Sequence, residues 1–241
     1  ERVQDRGSLV WVHLWDPHAP CEAAASFARA NPYHGEVQAM DAALGRLLDY
    51  LRQDSAWEQT TVLVVSDHGE AFGEHQEWTH GSFCFESTMT IPMILRAPGI
   101  ASGSRSDDLV SVVDVATTLA AALGLKSFPE SVDGRNLLEL VPTDRGVYME
   151  SYQAYFTLGW SPTWGWVNRQ WKYLDAGTPY LFGLAADPGE LENLAPGEVE
   201  VVHKFRGDIQ QLFDLPALPT QLVQGQDEEL LQAIQALGYA Q

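Results

Sequence analysis

Asp67 and His68 stand side by side and offer one carboxylate and one imidazole to a divalent cation. They close a β-branched apolar run, Thr60-Thr61-Val62-Leu63-Val64-Val65, which reads as a buried strand over Thr60–Ser66. The carboxyl end of a strand is where open α/β sheets bind ligands. Gly69-Glu70 follow, and the loop through Gly81 adds Glu74, His75, Glu77 and His80 between glycines. A cation held there would act as a Lewis acid, offsetting negative charge and polarising an oxygen bound to it. Without a cation, Asp67 would cap a turn and His68 would be a loop residue. His18 ends a proline-bracketed turn after the apolar run Ser8–Trp15. His13 precedes it by an odd spacing, which on a strand means the opposite face and a structural role. His34 belongs to the turn before a helix. Trp160, Trp164, Trp166 and Trp171 recur at strand spacing and suit a core better than a ligand wall.

These residues need a frame. Val37, Met40, Leu44, Leu47, Leu48 and Leu51 share one face of a helix predicted over Gly35–Gln53. With strands at Ser8–Trp15 and Thr60–Ser66 it makes a βαβ unit, hence a parallel pair with a right-handed crossover. Met93–Arg96 is a short strand stopped by Ala97-Pro98-Gly99. Ser111-Val112-Val113-Asp114 reads as a capping box for a helix that ends at Gly124. Leu140-Val141-Pro142-Thr143 marks a boundary: residues 1–142 form an α/β catalytic part and residues 143–241 a small α+β subdomain. In the latter, Gly146–Tyr152, Trp164–Leu174 and Tyr180–Leu184 read as an antiparallel sheet. The stripe Val199, Val202, Phe205, Ile209 and Leu212 would cover it, and a final helix is expected at Glu228–Leu237.

Composition narrows the class. Hydrophobic residues make up 45% of 241, enough for a substantial core. The 14 basic against 33 acidic residues argue against nucleic acid and anionic membrane as partners. No run is long enough for a membrane span. Cys21 and Cys84 make no disulfide framework, and either a single bond or two free thiols would fit.

The chain resembles the sulfatases of the alkaline phosphatase superfamily. The resemblance rests on Ser66-Asp67-His68-Gly69-Glu70, Gly73-Glu74-His75, Thr79-His80-Gly81 and Ile91–Gly99. Trp11–Pro20 looks like the family's His-bearing strand end. Trp171-Lys172-Tyr173, Tyr180–Leu184, Asp187-Pro188-Gly189-Glu190 and Asn193-Leu194 are similar to its C-terminal pattern. The resemblance implies a mixed, mainly parallel sheet with flanking helices, plus a small C-terminal antiparallel sheet with a helix. It implies one divalent metal, usually Ca²⁺ in relatives, with Mn²⁺ or Zn²⁺ open, held partly by Asp67 and His68. His18 and His80 become the catalytic histidines, their roles interchangeable: a general base, and a group that binds the ester or protonates the leaving oxygen. Glu74 and His75 would support the loop behind them.

The family's Cys/Ser-x-Pro-x-Arg motif, whose first residue becomes the formylglycine nucleophile, does not occur; Cys21 and Cys84 have other sequels. The expectation is therefore a C-terminal portion of a sulfuric ester hydrolase that by itself neither holds its metal tightly nor turns over substrate. The substrate would be a small-molecule or carbohydrate sulfate ester. A phosphomonoester, phosphodiester or phosphonate hydrolase, a phosphoethanolamine transferase, or a non-catalytic protein on the same scaffold are the alternatives.

Overall fold

The first helix, α1, starts where Asn31 caps it: its side-chain oxygen accepts the Tyr33 N–H at 3.0 Å, and Pro32 takes the first helical position. In this computed structural model, which describes residues 7–125, 132–139 and 145–214, α1 runs over Pro32–Leu51. Its apolar stripe is half-buried along its length.

Strand β1, Val62–Val65, pairs with β2, Met93–Arg96, between the short helix α2 at Glu86–Met89 and the helix α3 at Asp114–Ala122. The pairing is antiparallel, with Val62 opposite Arg96 and Val65 opposite Met93. This corrects the parallel pair expected from the βαβ reading, and among the described residues every strand pair is antiparallel. Ser8–Trp15 forms no strand: Leu9, Val10, Trp11 and Val12 are all more than half exposed. The cause lies in what periodicity reports. An apolar run shows that a segment favours burial, not which edge it pairs with. The β1–β2 ribbon is instead fixed at its start by Arg96, whose guanidinium lies 3.9 Å over the Trp57 ring and donates to the Thr60 carbonyl.

The expected capping box at Ser111 is half realised. Asp114 Oδ2 accepts the Ser111 N–H at 2.8 Å, but the helix begins only at Asp114. Asp114 is fully buried and also accepts from the Arg135 N–H at 2.8 Å and pairs with the buried Arg145 at 2.5 Å.

Four strands then form an antiparallel meander in chain order: β3 (Val147–Ser151), β4 (Thr163–Val167), β5 (Lys172–Asp175) and β6 (Pro179–Phe182). A short helix α4, Gln153–Leu158, sits between β3 and β4. The single strand expected at Trp164–Leu174 is thus two strands. The Asn168 side-chain oxygen accepts from the Gln170 and Trp171 N–H groups and folds the run into a hairpin. Alternation sorts the faces. Cys84, Phe85, Met149, Val167, Leu174 and Phe182 form a core on one side. On the other, Tyr173 and Leu181 pack with Val202, Phe205 and Ile209 of α5, Val199–Phe213, as the helical stripe predicts. Gly165 is required at the sheet's centre, because a Cβ there would stand 2.7 Å from both Leu174 and Met149.

The expected boundary at Leu140–Thr143 and helix at Glu228–Leu237 lie outside the described residues. The first core draws on residues from both sides of that boundary. Both cysteines are free.

Candidate functional site

β1 delivers the Asp-His pair. Beyond Val65 the Ser66 hydroxyl donates to the His68 carbonyl at 2.7 Å, which turns the chain sharply. Asp67 is left with an exposed carboxylate whose Oδ1 accepts the His68 N–H at 2.9 Å. His68 Nδ1 lies 2.8 Å from the Gly69 carbonyl. A carbonyl only accepts, so Nδ1 carries the proton and the neutral ring keeps its lone pair on Nε2. That nitrogen is 3.7 Å from Asp67 Oδ2. Carboxylate oxygen and imidazole nitrogen therefore present together, as a cation would need them.

His80 joins this pair from the far end of the loop. Its ring stacks on His68 with 3.8 Å between centroids and 28° between planes. Its Nδ1 is 3.4 Å from Oε1 of Glu70, a mostly buried carboxylate. Glu77 shapes the loop: its Oε1 accepts from the Ser82 and Phe83 N–H groups at 2.8 and 3.2 Å. The Ala71 N–H meets the Thr79 carbonyl at 2.9 Å. Gly81 adopts φ +94°, and Ser151 Oγ donates to its carbonyl.

The remaining candidates make other contacts. His18 stacks on Trp15 at 4.3 Å, and its Nδ1 donates to the Ala19 carbonyl. No hydrogen bond or ring contact joins it to Asp67, His68 or His80 among the described residues. Cys21, just beyond it, does lie within electrostatic reach of Glu70: burial raises its pKa most, and the charges of Glu36 and Glu70 add to this. Glu74 is exposed and caps the Phe72 N–H, a bond that holds its carboxyl below the ordinary range. His75 has φ +51° and stacks on Phe85 at 3.7 Å, with Nε2 3.9 Å from Glu190. His13 meets Trp15 edge-on. Trp164 and Trp166 pack toward α5, while Trp160 is exposed.

Glu70 and Glu77 were not singled out from sequence. Glu70's place in the Asp-His-Gly-Glu motif was the signal available; its partnership with His80 shows only in the fold. Among the described residues no group of three or more His, Cys, Asp or Glu side chains converges on a cation position. Asp67 and His68 by themselves offer one carboxylate and one imidazole, short of the roughly six to eight oxygens Ca²⁺ takes.

The comparisons follow this geometry. A family model described as Sulfatase matches residues 2–125, and one described as N-sulphoglucosamine sulphohydrolase, C-terminal, matches residues 73–214. The chain is 28% identical over 222 residues to arylsulfatase K of Canis lupus familiaris, covering 86% of this chain and 41% of that protein. It is 33% identical over 172 residues to choline-sulfatase of Rhizobium meliloti, covering 68% of this chain and 32% of that protein. The chain thus spans about two fifths or less of these relatives' length. A structure solved with its substrate D-glucosamine-2-N,6-O-disulfate superposes at TM-score 0.62 with 28% identity, over 75% of this chain and 38% of that one. The phosphonate monoester hydrolase of Agrobacterium radiobacter shares the fold at TM-score 0.59 and 24% identity, over 76% and 40%.

Proposed function

The chain belongs to the sulfatase family, and from that membership we propose that it takes part in the metal-dependent hydrolysis of sulfate esters. The observation that carries the reading is the convergence of Asp67, His68 and His80 at the end of β1. Asp67 and His68 would hold a divalent cation, Ca²⁺ by family resemblance, through the exposed carboxylate and the free Nε2. When bound, the cation offsets the ester's negative charge. His80, oriented by Glu70, protonates the departing alcohol oxygen or hydrogen-bonds the ester. His18 is kept as the general base on resemblance. Glu77 holds the backbone that carries His80. In this reading residues 1–142 carry the chemistry and residues 143–241 support it. No Cys/Ser-x-Pro-x-Arg sequence occurs in the 241 residues, so no nucleophile is assigned within them. A sulfate ester of a small molecule or sugar is the substrate proposed, the sulfated glucosamine of one relative being an example of the second kind.

The test uses the 241-residue chain with ¹⁵N-labelled histidine. Mn²⁺ should broaden the His68 and His80 imidazole signals before those of His13 and His203, with a weak affinity suited to two donors. Asp67→Ala should abolish the selectivity. Broadening that spares His68, or survives Asp67→Ala, overturns the site. With Ca²⁺ present, an aryl sulfate should shift the His80 signal at lower concentration than an aryl phosphate or phosphonate. The reverse order would move the reading to phosphoryl chemistry.

A further inference from the structure

Two sequence motifs beyond the Asp-His loop, Trp171-Lys172-Tyr173 and Asp187-Pro188-Gly189-Glu190, meet it in space. Lys172 is fully buried on β5, where an unpaired ammonium would be costly. Its Nζ lies 2.7 Å from Glu86 Oε1 and 2.9 Å from Glu190 Oε1. Glu190, itself buried, turns its other oxygen to the Glu86 N–H at 2.6 Å and to His75 Nε2 at 3.9 Å. Its own backbone has φ +54°, a conformation an L-residue takes at a cost. Glu86 opens α2, so both contacts fix where α2 stands.

α2 in turn backs the candidate metal pair. Its Thr88 carbonyl accepts the Gly69 N–H at 2.7 Å, directly after His68. A Cβ on Gly69 would be 2.5 Å from the Ser87 carbonyl oxygen, so backbone lies against backbone. Thr88 is buried, so its side chain packs α2 against the interior. A continuous path of short contacts runs Lys172, Glu86, α2, Gly69, His68.

We propose that Lys172, with Glu86 and Glu190, is a positioning device that sets the direction of the Asp67–His68 pair. This rests on the reading of that pair as metal ligands. Lys172 touches neither cation nor substrate; it acts through α2. The C-terminal sheet is thereby part of the site's alignment and not only its neighbour.

The experiment compares Lys172→Met and Lys172→Arg in the whole 241-residue chain. Amide exchange is read at Gly69 and Thr88 and, as a distant reference, at Phe205 of α5. Imidazole signals of His68 and His80 are read with and without Mn²⁺. Lys172→Met should speed Gly69 exchange about tenfold relative to Phe205, move both imidazole signals and weaken the Mn²⁺ effect. Lys172→Arg should recover most of each. Equal acceleration at Gly69 and Phe205, or unmoved His68 signals, overturns the proposal, since a loss of global stability alone would speed both amides alike. If the wild-type chain shows no Mn²⁺ effect, the metal reading fails, while Gly69 exchange and the His68 signal still judge the positioning. Should Lys172→Met not fold, Glu190→Gln gives the same readouts with the buried lysine still paired to Glu86.

Discussion

His68 and His80 lie face to face with 3.8 Å between ring centroids, although a whole glycine-punctuated loop separates them in sequence. A proposed metal ligand and a proposed proton donor are therefore in van der Waals contact. A perturbation of one ring is felt by the other. The loop that makes this possible is closed at three points, by Glu77, by the Ala71–Thr79 bond and by Gly81 against Ser151.

Gly69→Ala should damage fold and site together. The added methyl meets the Ser87 carbonyl oxygen at 2.5 Å, and backbone cannot swing aside as a side chain can. We expect a loss of about 1–3 kcal/mol in urea denaturation, typical of overpacking. Gly45→Ala, which meets nothing within 4 Å inside α1, should instead stabilise by about 0.5–1 kcal/mol. Equal effects from the two variants would contradict this packing.

Arg145→Met should be the costlier change near α3. It leaves the Asp114 carboxylate buried with two backbone N–H donors and no cation. Breaking one side of such a pair costs about 3–5 kcal/mol. The double variant Asp114→Asn with Arg145→Met should recover part of it. Denaturant midpoints of the single and double variants provide the check.

Much of the frame was legible because its signals are local. Of the five positions in the α5 stripe, Val202, Phe205 and Ile209 are buried, Leu212 is half-buried and Val199, in the first turn, is exposed; the α1 periodicity located that helix. The helix starts at Pro32, three residues before the predicted Gly35, because the apolar periodicity begins only at Val37 whereas the start is set by the Asn31 cap and Pro32 in the first turn. Pairing was not legible. Nothing in Ser8–Trp15 or Thr60–Ser66 states which edge, if any, each apolar run meets, and the hairpin turn at Asn168-Arg169-Gln170 carries no Gly or Pro to mark it between the aromatic stretches. At the site, the Asp67–His68 pair was visible as a motif at a strand end. The His80–Glu70 partnership and the Lys172–Glu190–His75 link depend on how the loop folds back, including a left-handed backbone at His75 that is uncommon for a residue other than glycine.

Thiol chemistry should separate the two cysteines. Burial pushes the Cys84 thiol up to about 12, and it is fully inaccessible. Cys21 is raised less and is partly exposed. Near pH 8 we expect iodoacetamide to label Cys21 slowly and Cys84 only after unfolding. Prompt labelling of Cys84 in the folded chain, read by peptide mass, would falsify its placement in the core.

Acid should loosen the chain through α2. Burial raises the Glu86 carboxyl pKa, but the Lys172 ammonium and the Thr90 hydroxyl lower it further, so its folded value falls below the ordinary 4.5. A lowered folded value means that the stabilisation is present above the unfolded pKa and is lost as pH falls through the folded one. The groups facing Glu86 are Lys172, Glu190 and Thr90, with His75 beyond Glu190. Below about pH 4.5 the denaturant midpoint should drop, and Glu86→Gln should flatten that drop. An unchanged slope in the variant would remove Glu86 from the account.

The exposed strip Leu9-Val10-Trp11-Val12 has a colloidal consequence. Copies that could meet through this strip each carry a formal net charge of −19, so at low ionic strength they repel one another before the apolar surfaces touch. Salt shortens that repulsion to about 3 Å at 1 M while it favours apolar burial. The chain should therefore be salted out readily and stay dispersed in dilute buffer, its solubility governed by the range of its field more than by the polarity of its surface.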